Sequence, residues 1–193
     1  MTPLHYLSMA LTRSWDIPLT YDQVQRFPDN GCRYELVEGV LLVTPAPNAD
    51  HQSFVAKLTF ALMAAAGEEH FVVPAPFAFY VSEVTYFEPD IVVALDVDVG
   101  RARLERTPLL LVEVGCRSTH LIDLGTKRLA YEAAGVPEYW LADPDEPSLT
   151  VLRLVDGRYE EAAKVVADEP YVATYPFPVT IVPSRLGRRP PAG

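Results

Sequence analysis

Two acidic residues in the middle of the chain stand where a metal-dependent hydrolase could use them. Asp90 follows Pro89 and precedes the apolar run 91–95, and Glu113 lies near the end of a second apolar run, 109–114. Metal-dependent cleavage of a phosphodiester needs at least two carboxylates that are held close together to coordinate a hard cation. A carboxylate inside Leu-Leu-Leu-Val-Glu-Val is also costly to bury unpaired, so a metal, a lysine or an arginine must compensate its charge.

Lys127 is the third residue of this set, and a helix predicted over 121–134 aims it at Glu113. Residues spaced three and four apart share one face of a helix. The face that includes Lys127 also holds His120, Asp123, Leu124, Ala130, Tyr131 and Ala134. Because this face is mostly apolar, we expect it to pack on the sheet that presents Glu113, where a lysine requires a carboxylate partner. A cation so placed could steady or help to generate a hydroxide nucleophile.

Each of these residues also has a purely structural interpretation. Asp90 could be a strand-initial acid in a turn, and Glu113 with Lys127 could form a salt bridge that only ties a helix to a strand. Glu35 could supply a further acid to the site, or it could be the solvent-side residue of a hairpin. His51, at a helix start, is interpreted as a cap-region histidine rather than a ligand.

Hydrophobic periodicity and turn signals predict an α/β domain with a mixed β-sheet and helices on its faces. The continuous apolar runs 91–95 and 109–114 are typical of strands that are buried on both faces of a sheet. The other predicted elements are a helix at 21–27, a helix that starts at Asn48 or Asp50 and runs to about 66, a hairpin at 34–43 that turns at Glu38-Gly39, strands at 71–73, 77–81 and 139–142, and a hairpin at 149–165. We expect a single domain, 1–193, with its core at about 20–165 and a flexible tail at about 183–193.

Composition and charge indicate a soluble cytoplasmic protein and argue against tight non-specific binding to DNA. The 193 residues include 16 Lys+Arg and 26 Asp+Glu, which gives a net charge of −10. Nucleic-acid binders usually carry a basic field, although the segment 101–128 is locally positive within this acidic chain. No apolar stretch is long enough to span a bilayer. Cys32 and Cys116 are interpreted as reduced thiols of a cytosolic protein.

The candidate residues also carry a family resemblance. Pro89-Asp90, Leu-Val-Glu-Val at 111–114, and Asp123 with Lys127 are followed by the quite specific run Gly-Val-Pro-Glu-Tyr-Trp-Leu at 135–141. Together with Tyr-Glu-Leu-Val-Glu-Gly at 34–39 and His51, this pattern resembles the Uma-type restriction endonuclease family of the PD-(D/E)XK nuclease superfamily. The resemblance covers roughly residues 20–165.

The resemblance implies a restriction-endonuclease-like fold and an endonuclease that depends on Mg²⁺, with Mn²⁺ as an alternative metal. Asp90 and Glu113 would be the metal ligands and Lys127 the catalytic lysine, and Glu35 is a further candidate catalytic acid. The lysine has moved, since Gly115 occupies its place in the ordinary Glu-x-Lys arrangement. The expected partner is nucleic acid, with DNA favoured over RNA.

Two further expectations concern activity and assembly. The sequence Gly115-Cys116-Arg117 departs from the family's usual loop, and with the acidic charge it leaves open a catalytically weak or inactive protein that serves as a binding or structural module. Dimerisation is expected if the aromatic segment 77–87 offers exposed apolar surface.

Overall fold

The computed structural model describes residues 10–12, 18–115 and 123–187 of the chain. The described helices are α1 (Tyr21–Val24), α2 (Ala49–Ala65) and α3 (Arg128–Ala133), and a π-helical turn, Asp123–Lys127, leads directly into α3. The described strands are β1 (Ala10–Thr12), β2 (Arg33–Val37), β3 (Val40–Thr44), β4 (His70–Pro74), β5 (Ala78–Ser82), β6 (Thr85–Phe87), β7 (Ile91–Leu95), β8 (Arg103–Leu104), β9 (Leu110–Val114), β10 (Glu138–Asp143), β11 (Ser148–Val155), β12 (Arg158–Val166), β13 (Tyr171–Ala173) and β14 (Val179–Ile181). None of the described helices combines the length and the apolar character that crossing a bilayer requires.

The central sheet is built from the continuous apolar runs of the sequence. Its strand order among the described residues is β12-β11-β10-β9-β7-β4, with β9 and β10 parallel and the other neighbours antiparallel. Strands β9 and β10 are buried along their whole length, because protein covers both faces of the sheet, and this explains why neither shows polar alternation. The register places Leu141 beside Glu113 and Val112 beside Ile91.

The second sheet contains the N-terminal hairpin, in the order β1-β3-β2-β6-β5-β8 among the described strands. Strands β2 and β3 are joined by Glu38 and Gly39, which have φ of 51° and 77°. Positive φ at both residues of a two-residue loop is the turn that matches the twist of a tight hairpin, and glycine favours it. The hairpin therefore fixes the register of β2, which carries Arg33 and Glu35.

Helix α2 packs its apolar stripe on the central sheet and presents its N-terminus at the sheet edge. The Asn48 side chain caps it by accepting hydrogen bonds from the N–H groups of Asp50 and His51. Phe54, Leu58 and Leu62, spaced by one turn, are fully buried. This packing holds the first turn of the helix, and with it His51, next to the strand ends.

The predicted α/β class with a mixed sheet is confirmed, but several boundaries differ from the predictions. The helix predicted over 121–134 is a π-helical turn followed by α3 within its described part, and α1 ends at Val24 because the chain turns before Pro28. Residues 183–187 were expected in a flexible tail, yet Pro183 and Leu186 are buried, and Leu186 packs against the core. Cys116, Arg117 and residues 188–193 lie outside the described residues.

Most of the aromatic surface of segment 77–87, on which dimerisation is predicted, is buried. Phe79, Tyr86 and Phe87 are at most 3% exposed, whereas Phe77 and Tyr80 are half-buried and Val81 is 42% exposed. Phe87 packs edge-on against Tyr131 at 5.0 Å between ring centroids, so this part of the segment is core that joins the second sheet to α3. Dimerisation stays a prediction.

Glu132 ties α3 to the edge strand β12 and gives the fold an acid-sensitive contact. Its carboxylate accepts hydrogen bonds from the Tyr159 N–H at 2.7 Å and from the Arg158 guanidinium at 3.0 Å. The Tyr159 N–H, and after it the charge of Arg158, lower the pKa of Glu132 despite the opposing effect of burial. A group with a lowered folded-state pKa stabilises the fold above its unfolded pKa, and this contribution is lost as the pH falls below about 4.

We expect Glu132→Gln to lower the Tm by about 2 to 4 °C at neutral pH, since one charge-assisted contact is weakened. The difference from wild type should shrink as the pH falls below the ordinary pKa of a glutamate and through the lowered pKa of Glu132, because the wild-type carboxyl then becomes protonated as well. Thermal melts at neutral and at acidic pH check this, with the exposed Glu160→Gln on β12 as the control. A difference that stayed constant across this pH range would contradict the assignment.

Candidate active site

Asp90 is the most constrained acid of the site, because residues on three separate elements form hydrogen bonds with its carboxylate. Oδ1 accepts a hydrogen bond from the Arg33 guanidinium of β2 at 2.8 Å. Oδ2 accepts from the Val114 N–H at the end of β9 at 2.8 Å, and it lies 3.1 Å from Nε2 of His51 in α2. Asp90 itself is only 2% exposed. The residue just before β7 is therefore locked between the two sheets and α2.

These contacts keep Asp90 ionised. Burial alone would raise the pKa of its carboxyl group. The hydrogen bond with His51, the charges of Arg33 and His51 and the Val114 N–H outweigh burial and lower the pKa to about 2. Desolvation opposes the charged form of Arg33 too, but Asp90, Glu35 and Glu113 raise the pKa of its guanidinium. Both partners are charged at neutral pH.

Glu113 points to the opposite face of the central sheet from α2. Val112 and Val114 pack in the cluster with α2, whereas Leu111 packs in the cluster that contains Tyr131. Since side chains alternate along a strand, Glu113 shares the face of Leu111 and is directed toward α3. It is 3% exposed, and its Oε1 accepts hydrogen bonds from Nζ of Lys127 at 2.9 Å and from the Tyr131 hydroxyl at 2.8 Å.

Lys127 and Tyr131 reach Glu113 together because they stand four residues apart on one helical face. Lys127 ends the π-helical turn and Tyr131 lies in α3. Burial, and then the charges of Glu113 and Glu35, raise the pKa of the Tyr131 hydroxyl well above its usual value. Tyr131 thus remains a protonated donor that orients Glu113.

Glu35 completes the cluster from the β2 side. It is fully buried, and its Oε1 lies 3.1 Å from Nζ of Lys127 and accepts from the Glu88 N–H at 2.8 Å. Its Oε2 is buried without a hydrogen-bond partner among the described residues. Burial, and then the charge of Glu35, raise the pKa of the nearby Glu88 carboxyl. Lys127 thus bridges two carboxylates that come from different sheets.

The charged side chains converge on one cavity of about 250 Å³, whose lining includes Arg33, His51, Asp90, Glu113 and Lys127. Among the described lining residues, the formal charges of Asp90, Glu113 and Asp145 exceed those of Arg33 and Lys127 by one. The cavity therefore carries a negative excess that favours a cation.

All four acids and bases that the sequence proposed as catalytic meet in this region, and three residues were missed or misjudged. Arg33 had no signal of its own, although it shares a face of β2 with Glu35 at the strand period of two. Tyr131 was placed on the face of Lys127 without a role. His51 was interpreted as a helix-cap residue, and it does lie in the first turn of α2, but its ring contacts Asp90.

The sequence that forms this site matches a known protein family. A family model described as Uma2, putative restriction endonuclease, matches residues 21–179. The chain belongs to this family. No curated protein matches the chain.

A solved structure resembles the fold of this Uma2 family member. It is the crystal structure of a putative nuclease belonging to DUF820 from Anabaena variabilis, with a TM-score of 0.64 and 19% sequence identity, and the match covers 82% of this chain and 90% of that one. At this identity the likeness establishes the fold. Membership of a restriction endonuclease family implies nucleic acid as the partner.

The residues present fit the magnesium ion that such a fold implies. Mg²⁺ is typically held by one or two carboxylates, with waters and substrate phosphate oxygens filling its remaining positions. Asp90 and Glu113 line one cavity with a negative excess, and Glu35 keeps an unpartnered buried oxygen beside them. Within the described residues no group of three His, Cys, Asp or Glu side chains is placed to hold a metal by itself.

We expect Arg33→Gln to destabilise the protein by about 3 kcal/mol, because it leaves the Asp90 carboxylate buried without its guanidinium. Urea unfolding measures the change, and the exposed Arg26→Gln serves as the control. Combining Arg33→Gln with Asp90→Asn should cost less than the sum of the two single changes, since both remove one ion pair. Strict additivity would show that the Arg33–Asp90 contact does not stabilise the fold.

Proposed function

We propose that this Uma2 family protein is a Mg²⁺-dependent endonuclease-like phosphodiesterase that acts on nucleic acid, with DNA the favoured substrate. The observation that carries the proposal is the convergence of two buried carboxylates, Asp90 and Glu113, on one cavity with a lysine bonded to the second. This is the set of groups that hydrolysis of a phosphodiester requires: oxygen ligands for a hard cation and a positive charge beside the attacking oxygen.

Asp90 and Glu113 would hold the metal in the proposed mechanism. A bound Mg²⁺ supplies charge stabilisation at the phosphate and acidifies water. The protein's own contribution is positioning. Arg33 and His51 hold Asp90 in place and in its charged form.

Lys127 is the proposed catalytic lysine, which would orient the attacking water and stabilise negative charge as it develops. Its ammonium group lies between Glu113 and Glu35 at 2.9 and 3.1 Å, so its position is fixed before substrate arrives. Charge that is already oriented needs no rearrangement during the reaction, and this is the main source of electrostatic catalysis. Glu35 assists by anchoring Lys127, and Tyr131 by orienting Glu113.

A second candidate function is that of a nuclease-fold binding protein with weak or no turnover. The observation that favours it is that hydrogen bonds already occupy both oxygens of Asp90. One oxygen accepts from Arg33, and the other accepts from the Val114 N–H and contacts His51. A metal must displace or share these contacts. The net charge of −10 also weakens attraction for a polyanion. Turnover of an oligonucleotide separates the two functions.

Calorimetric titration with Mg²⁺ and with Mn²⁺ should detect binding that Asp90→Asn and Glu113→Gln each abolish, because each change removes one of the two anionic ligands. The titrations are run with and without a short DNA oligonucleotide, since phosphate oxygens are expected to complete the coordination.

Glu138→Gln is the matched control for these titrations. Glu138 is also a buried carboxylate with an arginine partner, Arg153 at 2.7 Å, but it lies outside the lining of the site cavity. Metal affinity that is unchanged in Asp90→Asn, or lost equally in Glu138→Gln, would refute the site.

Lys127→Met should reduce the rate of oligonucleotide cleavage by at least about a hundredfold, the usual range for a positioned proton-transfer or charge-stabilising group. Substrate affinity should fall much less, because the change removes a charge needed mainly in the transition state. Single-turnover rates and binding isotherms measure the two effects separately. The exposed Lys164→Met on β12 is the control, and equal rates in the two variants would remove Lys127 from the mechanism.

A further inference from the structure

A groove of about 670 Å³ adjoins the site cavity on the side of α1. The groove and the cavity share Arg33, Asp90 and the loop 45–47 among their described lining residues. Pockets for drug-sized ligands range from about 300 to 1,000 Å³, so the groove has room for a nucleotide. It leads directly to the carboxylate at which a phosphodiester would be cleaved.

The walls of the groove offer the contacts that an unstacked base requires. Phe27 is 36% exposed, and its ring is held edge-on to Tyr34 at 5.4 Å between centroids. The Tyr34 carbonyl in turn accepts the Tyr86 hydroxyl at 2.6 Å, so the floor beneath Phe27 is anchored to the second sheet. Gln52, exposed in the first turn of α2, contributes an amide that can donate to and accept from a base edge. Single-stranded nucleic acid is recognised by this combination of aromatic stacking and polar contacts to base edges.

The charges in the groove determine which part of a nucleotide lies at which end. Its described lining includes the acids Asp29, Glu88 and Asp90 and one base, Arg33. Arg33 and Asp90 also line the site cavity, whereas Asp29 lines the groove alone. Phosphate is therefore disfavoured beside Asp29, and Arg33 is the positive group toward which it is attracted. This arrangement orients a strand with a phosphodiester at the site and a base in the groove.

A base can enter the groove only if it is not paired. In a duplex the bases are stacked inside and the phosphates face outward, so an intact duplex would present phosphate to the acidic groove. The net charge of −10 also opposes binding of a duplex along its phosphate backbones.

We propose that this groove binds an unpaired nucleotide next to the scissile phosphodiester, so that the preferred substrates are single strands or strands with unpaired segments. The inference rests on the proposed nuclease function and adds to it the structural class of the substrate. The inference applies to DNA and RNA alike, since stacking on a base and a hydrogen bond to its edge do not involve the sugar.

The test is fluorescence anisotropy with a fluorescein-labelled, mixed-sequence oligonucleotide as single-stranded DNA, as single-stranded RNA and as a DNA duplex. Ca²⁺ replaces Mg²⁺ so that turnover does not consume the probe. A single strand should bind at least about tenfold more tightly than the duplex, and Phe27→Ala should weaken single-strand binding by about fivefold to a hundredfold. The DNA and RNA arms show which sugar is accepted.

Phe60→Ala is the matched control, because Phe60 is an even more exposed phenylalanine, 73%, on α2 and outside the groove lining. Thermal melts verify folding, and Gln52→Ala, an exposed helical residue that leaves the Phe27–Tyr34 contact intact, provides a second variant in the groove. Any one of three results would overturn the inference. The duplex binds as tightly as the single strand or more tightly, no single strand binds at all, or the single-strand affinities of Phe27→Ala and Gln52→Ala both equal that of Phe60→Ala. A protein that binds Mg²⁺ through Asp90 and cleaves only duplex would refute the groove's role and leave the proposed nuclease function standing.

Discussion

The fold depends on burying three carboxylates and supplying each with compensating charge. Glu35, Asp90 and Glu113 are at most 3% exposed. The effective penalty for removing such an ion from water is several kcal/mol, and it is offset only when partners are close and well oriented. Arg33 and Lys127 supply the positive charge, and the Val114 N–H, the Glu88 N–H and the Tyr131 hydroxyl supply further hydrogen bonds. These partners come from both sheets and from the helical segment, so the elements must dock in one arrangement for these contacts to form together.

This requirement links the site to the packing around it. Glu35 and Arg33 stand on the same face of β2, and they reach across to Lys127 and to Asp90, which belong to the central sheet and its covering helix. If the second sheet slid by one residue, both side chains would leave the interface, because strand side chains alternate between faces. The aromatic contacts between Phe87, Tyr131 and Tyr139 hold the same interface from its apolar side. Packing and charge compensation thus specify the same register.

The parts of this arrangement that could be predicted are those encoded locally. The buried run around Glu113 and the four-residue spacing of Lys127 and Tyr131 define a strand and a helical face, so the pairing of Lys127 with Glu113 could be predicted from periodicity. The partners of Asp90 could not, because Arg33 is 57 residues away and His51 39 residues away, and only the docking of two sheets and α2 brings them together. The burial of segment 77–87 could not be predicted either, because whether its apolar residues face the core depends on how the second sheet packs against the rest of the fold. The π-helical turn before α3 also carries no distinct sequence signal, since the pattern of apolar residues there fits the period of an ordinary α-helix.

The charge distribution bears on the proposed function, in which an acidic protein acts on a polyanion. A net charge of −10 opposes long-range attraction of nucleic acid, and surface charge attracts or repels along the whole length of a strand. The cations of the site are instead internal: Lys127 is 2% exposed, and the side chain of Arg33 is 18% exposed. Interactions at such buried positions are screened little by salt, whereas exposed charges are screened strongly. Under the proposed function, binding of nucleic acid at this site should therefore depend weakly on ionic strength and strongly on whether a single phosphodiester can reach the cavity. Selection of substrate would then lie in the groove and the cavity rather than in the net charge of the protein's surface.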